Sequence, residues 1–280
     1  MDRRLVLGLG ATVLAAAGAT FLLVSRPGPA ALPPTGRGCG VPARGTGKLE
    51  SRSLRVGSLD RTYSLFVPAH YESARPYPVI FRFHGHGGDG QSGGLGIEQI
   101  SRDDAIVVGL DGQRARDGQR SWDEPHEQDD VAFFDALLAA LEARYCIDRE
   151  RVYAYGFSAG GAFSERLACR RGDVLRAIGA IAAYPLTQPK PSTCRGQTAA
   201  LIFHDHDDPA VPIAAGRASR DVIRSLNGCS DQTVPDGESC VRFQDCSPGQ
   251  PVVWCESHTL GHDIRGDVAP AKVWAFFKSL

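Results

Sequence analysis

A serine flanked by glycines is the residue best placed for covalent chemistry in this sequence. It lies in Gly156-Phe157-Ser158-Ala159-Gly160-Gly161, directly after the apolar run Arg151 to Tyr155 and before a helical pattern. This order fits the G-x-S-x-G elbow, a sharp strand-to-helix turn that exposes the serine hydroxyl. A free hydroxyl is a weak nucleophile, so an adjacent base must activate it. The motif predicts that Ser158 attacks a carbonyl carbon; an ordinary glycine-rich turn is the alternative.

Attack on a carbonyl also requires donors for the negative charge that develops on its oxygen. The segment Phe83-His84-Gly85-His86-Gly87-Gly88 follows a predicted strand and resembles the H-G-G-G type of loop that supplies such donors. We assign this oxyanion hole to the backbone N–H of Ala159 and to that of His86 or Gly85. Removing one such donor typically costs about 3 kcal/mol in the transition state. A structural glycine-rich turn is the alternative.

A serine nucleophile needs a histidine base and a carboxylate that orients it, and candidates for both follow Ser158 along the chain. We predict His262 as the base because it lies in a glycine-flanked loop after the last predicted strand, with His258 as its competitor. For the acid we favour Asp208 over Asp207, since its Asp-Pro-x-Val-Pro context is typical of the turn that leaves an acid-bearing strand. The chain order of serine, acid and histidine is that of α/β-hydrolases.

The loop that holds the acid also allows a metal hypothesis. His204-x-His206-x-Asp208 matches the first part of the metallo-β-lactamase signature, and imidazoles and carboxylates are zinc ligands. The next position is Pro209, where that signature has another histidine, and a metal site would leave the serine elbow unexplained. We therefore predict no metal. Asp205, in the same loop, is expected to be a polar loop residue.

The elements that must position these residues alternate along the chain. Short apolar runs predict strands at Arg61 to Val67, Val79 to Phe83, Ile106 to Gly109, Val152 to Tyr155, Ile178 to Ala182 and Ala199 to Phe203. Helical spacing predicts helices at Asp129 to Tyr145, Gly160 to Cys169, Ala214 to Leu226 and Pro270 to Phe277. This order predicts an α/β protein, a mainly parallel sheet with helices on both faces. Such sheets bind ligands beyond the carboxyl ends of their strands.

Length and charge restrict the function further. At 280 residues and a formal charge of −1, the chain is long enough for one large domain and has no basic stripe for nucleic acid. Arg3 and Arg4 precede the apolar run Leu5 to Val24, after which a Pro- and Gly-rich linker begins. We predict a signal peptide or membrane anchor plus linker over residues 1–36, which engages the membrane at least during export. The catalytic domain is predicted over residues 37–280.

Eight cysteines follow the N-terminal segment, and their even number favours disulfides in an oxidising compartment. No Cys-x-x-Cys pair is present, which weakens zinc and thioredoxin-like hypotheses. Four of the eight lie between Cys229 and Cys255, so we expect bridges that pin a loop-rich C-terminal third. The cysteines and the N-terminal segment together predict a secreted or periplasmic protein.

These motifs resemble those of the secreted feruloyl esterases and the related polyhydroxybutyrate depolymerase-like esterases of carbohydrate esterase family one. The matching stretches run from Cys39-Gly40 to the C-terminus: Tyr77-Pro78 to Gly88, Asp130 to Phe133, Cys146 to Asp148, Gly156 to Gly161, Leu167 to Cys169, Asp208 to Pro212, Asn227 to Cys229, Trp254-Cys255 and Gly261-His262. The resemblance implies an α/β-hydrolase fold, the triad Ser158, Asp208 and His262, no cofactor, and stabilisation by disulfides.

Two departures from the family pattern concern the predicted site. The loop that commonly has H-G-T-x-D is His204-Asp205-His206-Asp207-Asp208 here, and Asp263-Ile264-Arg265 replaces the frequent aromatic-proline continuation after His262. That loop borders the substrate in such folds, so we expect a changed acyl-group specificity. Trp122 lies where family members often have an aromatic residue near the site, and we predict that it stacks on a hydroxycinnamoyl ring or a sugar. A tryptophan that clamps a surface loop is the alternative.

The sequence therefore predicts an exported serine esterase that hydrolyses carboxylic esters. Feruloyl (hydroxycinnamoyl) esters of plant cell-wall polysaccharide are the favoured substrates, so we expect a polymer-linked ester as the partner and a monomeric enzyme. The alternatives are a polyhydroxybutyrate depolymerase or an acetylxylan esterase. An alternative of another class is a non-catalytic binding protein that keeps the α/β-hydrolase fold.

Overall fold

A ten-stranded sheet is the centre of the computed structural model, which describes residues 36–91, 96–122, 126–186 and 191–280. The strands are β1 (Leu49–Val56), β2 (Leu59–Phe66), β3 (Tyr77–Phe83), β4 (Ile106–Leu110), β5 (Gln113–Arg114), β6 (Arg120–Ser121), β7 (Ile147–Phe157), β8 (Ala177–Ile181), β9 (Ala199–Asp205), β10 (Thr233–Pro235), β11 (Cys240–Phe243) and β12 (Val252–Ser257). All except β5 and β6, which form a separate ribbon, belong to this sheet. The predicted signal or anchor segment lies outside the described residues.

Five α-helices accompany the strands. They are α1 (Ile97–Ser101), α2 (Glu127–Glu142), α3 (Ala159–Arg170), α4 (Ile213–Leu226) and α5 (Ala269–Lys278). The four helices predicted from the sequence correspond to α2 through α5, with ends that differ by at most three residues. In the part of the chain described, no helix combines the length and apolar character needed to cross a bilayer.

The strand order is β1-β2-β4-β3-β7-β8-β9-β12-β11-β10. The six strands from β4 to β12 in this order pair in parallel, whereas β1, β2, β10 and β11 pair antiparallel at the two edges. All six predicted strands are present, and the predicted mainly parallel α/β sheet is confirmed. The edge strands β1 and β10 were not predicted, because three of the eight residues of β1 and all three of β10 are exposed and apolar runs are absent there.

The central strands are apolar along their whole length because helices cover both faces of the sheet. On one face, Phe81 of β3 packs against Phe134 of α2, with ring centroids 4.6 Å apart. On the other, Tyr153 of β7 stacks on Phe277 of α5 at 4.3 Å. With both faces occupied, the carboxyl edge of the parallel strands is where loops can present polar side chains.

All eight cysteines form disulfides, as the sequence predicted. The pairs are Cys39–Cys146, Cys169–Cys194, Cys229–Cys246 and Cys240–Cys255. Two of the four bridges lie in the C-terminal third, and Cys240 and Cys255 are directly opposed across β11 and β12. The Cys39–Cys146 bridge ties the segment before β1 to the start of β7.

Candidate active site

The predicted elbow forms at the junction of β7 and α3. Ser158 has a φ of 53°, a left-handed conformation that only a fixed local structure holds for a side chain of this kind. A Cβ on Gly156 would lie 2.2 Å from the carbonyl oxygen of Gly160, and one on Gly160 would lie 2.1 Å from that of Phe83. The glycines are therefore required where the strand, the helix and the oxyanion loop cross.

The histidine of the C-terminal loop reaches this serine. His262 Nε2 lies 2.9 Å from Ser158 Oγ, and His262 Nδ1 lies 2.7 Å from Asp208 Oδ2. Because a carboxylate only accepts, Nδ1 carries the proton and Nε2 is free to accept the serine hydroxyl proton. The structure thus brings together the three predicted side chains, 54 and 104 residues apart along the chain.

Asp208 is buried and fully engaged. Its Oδ1 accepts hydrogen bonds from the backbone amides of Ala210 and Val211, both at 2.8 Å. Burial opposes ionisation of Asp208, but the hydrogen bonds from Val211, His262 and Ala210 outweigh it and hold the pKa below its usual value. The carboxylate therefore stays charged at neutral pH, as it must to stabilise an imidazolium.

The two competing residues lie outside this relay. Asp207 is exposed, and its carboxylate accepts from the amide of Thr259 at 3.0 Å. His258 is exposed, and its ring stacks on that of His206 with centroids 5.1 Å apart. The geometry therefore favours Asp208 and His262 over both competitors.

The predicted oxyanion loop is held by the side chain of His84. The Gly112 amide donates to its Nε2 at 3.0 Å, so Nδ1 carries the proton and donates to the carbonyl of Gly85 at 2.6 Å. Burial lowers the pKa of His84, which keeps the ring neutral in this arrangement. Among the described residues, the backbone amides of Gly85, His86 and Ala159 make no hydrogen bond, so all three predicted donors are available to an oxyanion.

The prediction that Trp122 stacks on substrate is not supported. Its side chain is 1% exposed, and its ring stacks on Phe163 at 4.9 Å and meets Phe83 edge-on at 5.1 Å. Its indole N–H donates to the carbonyl of His84 at 2.8 Å. Trp122 therefore fits the structural alternative, because it anchors the predicted oxyanion loop from within the core and leaves no ring face for a ligand.

The three residues of the metallo-β-lactamase-like pattern, His204, His206 and Asp208, have other partners in the structure. In the described ranges, no group of three or more His, Cys, Asp or Glu side chains converges as metal ligands would. His204, from the metallo-β-lactamase-like pattern, is buried, and its Nε2 donates to the carbonyl of Val211 at 2.8 Å.

The burial of two carboxylates was not predicted from the sequence. Asp205 was expected to be a polar loop residue but is 3% exposed. The sequence did mark this residue as unusual, because Asp205 occupies the position of the glycine in the family's H-G-T-x-D pattern. Glu165 on α3 is fully buried beside Ser219, and nothing in the helical pattern marked it as unusual.

Comparison with known proteins gives consistent relatives. No protein-family model matches the sequence. The chain is 32% identical to "Probable feruloyl esterase C" of Aspergillus terreus, over 83% of this chain and 90% of that protein. It is 30% identical to "Feruloyl esterase D" of Neurospora crassa, over 92% of this chain and 96% of that protein.

Solved structures share the fold at low sequence identity. A CE1 ferulic acid esterase from Anaeromyces mucronatus, in complex with ferulic acid, matches with a TM-score of 0.59 and 16% identity, over 83% of this chain and 90% of that chain. Acetyl xylan esterase from Aspergillus awamori matches with a TM-score of 0.65 and 12% identity, over 82% and 100%. The sheet and these relatives together define a carboxylic ester hydrolase with the α/β-hydrolase fold. More narrowly, the chain belongs to the feruloyl esterase family.

Proposed function

We propose that this chain is a serine esterase that hydrolyses feruloyl and related hydroxycinnamoyl esters of plant cell-wall polysaccharide. The observation that carries the proposal is the continuous relay from Ser158 Oγ through His262 to Asp208, with contacts of 2.9 and 2.7 Å. The relatives named feruloyl esterase support the choice of acyl group. Polyhydroxybutyrate and acetylated xylan are the competing substrates.

The geometry supports the following reaction. His262 Nε2 takes the proton from Ser158 Oγ while the oxygen attacks the ester carbonyl, and Asp208 stabilises the imidazolium that forms. The amides of Ala159 and of His86 or Gly85 hold the tetrahedral oxyanion. The imidazolium then gives its proton to the departing alcohol, which leaves an acyl group on Ser158. Water, activated by the same imidazole, releases the acid and restores the serine.

Two exposed apolar side chains are available for the acyl ring in place of Trp122. Tyr184 is 45% exposed and lies three residues after the end of β8. That strand end is next to the nucleophile, because the amide of Ser158 donates to the carbonyl of Ile181. Leu260 is 50% exposed and precedes His262 by two residues. We propose that these two loops provide the apolar surface on which a hydroxycinnamoyl ring binds.

We further propose that the enzyme works outside the cytoplasm, as a monomer. Four disulfides are typical of an oxidising compartment, which supports the exported location expected from the N-terminal apolar run. All three relay side chains come from one chain, which supports a monomeric functional unit.

The test is Ser158→Ala with methyl ferulate, polyhydroxybutyrate film and acetylated xylan as parallel substrates. We expect the wild type to prefer methyl ferulate and the variant to lose about 10⁴-fold or more in kcat with an unchanged melting curve. Ser225→Ala, on the exposed face of α4, is the matched control and should keep full activity.

Two outcomes would contradict the proposal. Turnover that survives in Ser158→Ala would exclude this serine as the nucleophile. A wild-type protein that is folded and oxidised, yet forms no adduct with a fluorophosphonate probe, would instead indicate a binding protein that keeps the fold.

A further inference from the structure

Asp205 joins three segments at the carboxyl edge of the sheet. It is the last residue of β9 and lies opposite Ser257, the last residue of β12. Its Oδ2 accepts from Ser257 Oγ at 2.7 Å and from the backbone amide of Leu260 at 3.2 Å, and its Oδ1 accepts from the amide of Asp207 at 2.9 Å. One buried carboxylate therefore links the ends of two strands to the loop that carries His262.

These hydrogen bonds keep the carboxylate charged despite its burial. Burial favours the neutral acid, but the hydrogen bonds from Ser257 and from the amides of Asp207, Leu260 and Gly261 outweigh it and lower the pKa of Asp205. Hydrogen bonds to an ionised acceptor are roughly twice as strong as those between neutral groups. The contact is therefore a strong anchor for a loop of this length.

The loop needs such an anchor because apolar packing does not hold its first three residues. Residues 258–260 are exposed, so no apolar core fixes them. Thr259 and Gly261 both have a φ of 67°, and a β-branched residue is strained in that conformation. The loop has three other contacts: the amide of Thr259 donates to the exposed carboxylate of Asp207 at 3.0 Å, His258 stacks on His206, and His262 bonds Asp208.

We propose that Asp205 is a positioning residue that holds the 258–262 loop so that His262 Nε2 stays within reach of Ser158 Oγ. The inference rests on the proposed function. The glycine that the family pattern has at this position lacks a side chain and offers no such contact.

The primary test is Asp205→Asn. Asparagine keeps the shape of the side chain, but its NH₂ group faces a group that now donates a hydrogen bond to the carboxylate. Because two donors cannot bond each other, that contact is lost and the loop is released. Since a displacement of about 1 Å can cost 10²-fold in rate, we expect kcat for methyl ferulate to fall about 10- to 100-fold, with KM changed less than about 2-fold. The rate of fluorophosphonate labelling at Ser158 should fall by the same factor, at a temperature where the variant is fully folded.

Two matched variants separate positioning from general stability. Ser257→Ala removes the strand-end partner but leaves the loop amides on the carboxylate, so we expect a loss below about 3-fold. Glu256→Gln changes a hydrogen-bonded carboxylate at the same strand end that pairs with Arg217 rather than with the loop, and it should keep wild-type labelling.

The outcomes distinguish this inference from the proposed function. A wild type without esterase activity or labelling would remove the proposed function itself. An active wild type together with unchanged labelling in Asp205→Asn overturns only the positioning role. A loss in Ser257→Ala or Glu256→Gln as large as that in Asp205→Asn overturns it too, because the effect would then follow packing at the strand end.

Discussion

A buried acid on α3 makes the stability of this protein depend on pH. Glu165 is fully buried, Ser219 Oγ donates to its Oε2 at 2.7 Å, and its Oε1 has no partner among the described residues. Burial raises the pKa of Glu165 from 4.5 to about 8, against the opposing effects of the Ser219 hydrogen bond and the charge of Arg166. The folded chain therefore holds a proton on this group at neutral pH, whereas the unfolded chain does not.

The sign and the size of the effect follow from this difference. Between pH 4.5 and about 8 the folded state binds one proton more than the unfolded state, so the free energy of unfolding falls as pH rises and then levels off. The interval spans about 3.5 pH units at about 1.36 kcal/mol each, which sets an upper bound of about 5 kcal/mol. Glu165→Gln keeps the shape without an ionisable group, so we expect the variant to be more stable than the wild type at pH 8 by up to that amount.

Urea denaturation at pH 4.5, 6 and 8, followed by tryptophan fluorescence with the disulfides intact, measures the difference. The advantage of Glu165→Gln should grow steadily with pH and be smallest at pH 4.5. Glu150→Gln, at an exposed position, is the control and should show no such trend. A difference between wild type and Glu165→Gln that is the same at every pH would refute the argument, because the carboxyl would then titrate alike in the folded and unfolded chains.

Two further predictions concern the anchors of the fold. Trp122→Phe leaves the carbonyl of His84 without its indole donor. We therefore expect the free energy of unfolding to fall by about 1–3 kcal/mol and the turnover of methyl ferulate to fall as well. Unchanged values in urea denaturation and turnover would contradict the anchoring role. Cys39 and Cys146 are 107 residues apart, whereas Cys240 and Cys255 are 15 apart. Replacing both cysteines of the first pair should lower the free energy of unfolding by about 4.7 kcal/mol, and replacing both of the second pair by about 3 kcal/mol. Equal losses in urea denaturation would argue against an origin in the entropy of the unfolded chain.

Local sequence was sufficient where the constraint itself is local. The elbow could be predicted because Gly156 and Gly160 are needed for contacts within a few residues, and a side chain at either would meet backbone at about 2 Å. The central strands could be predicted because burial on both faces makes their apolar runs continuous. β10 could not, because an edge strand with three exposed residues has no pattern of its own and depends on pairing with β11.

The role of Trp122 could not be predicted, because it depends on residues distant in the chain. An aromatic residue in a loop near a site is compatible with stacking on a ligand or with packing beneath the loop. The indole is enclosed by the carbonyl of His84 and the ring of Phe163, which are 38 and 41 positions away in the sequence. These contacts show that Trp122 packs beneath the loop. Only the folded chain brings those groups together.

The acidic loop after β9 shows most clearly how register decides function among identical side chains. Asp205, Asp207 and Asp208 lie within four positions and carry the same chemical group. Because β9 ends at Asp205, this residue is buried and lies opposite the end of β12. Asp207 lies on the exposed turn that follows, and Asp208 contacts His262. A strand end displaced by one residue would put His204 or His206 at the position that Asp205 holds, and Asp207 or Pro209 at the position that Asp208 holds. The assignment therefore depends on where the strand stops, a property of the whole sheet.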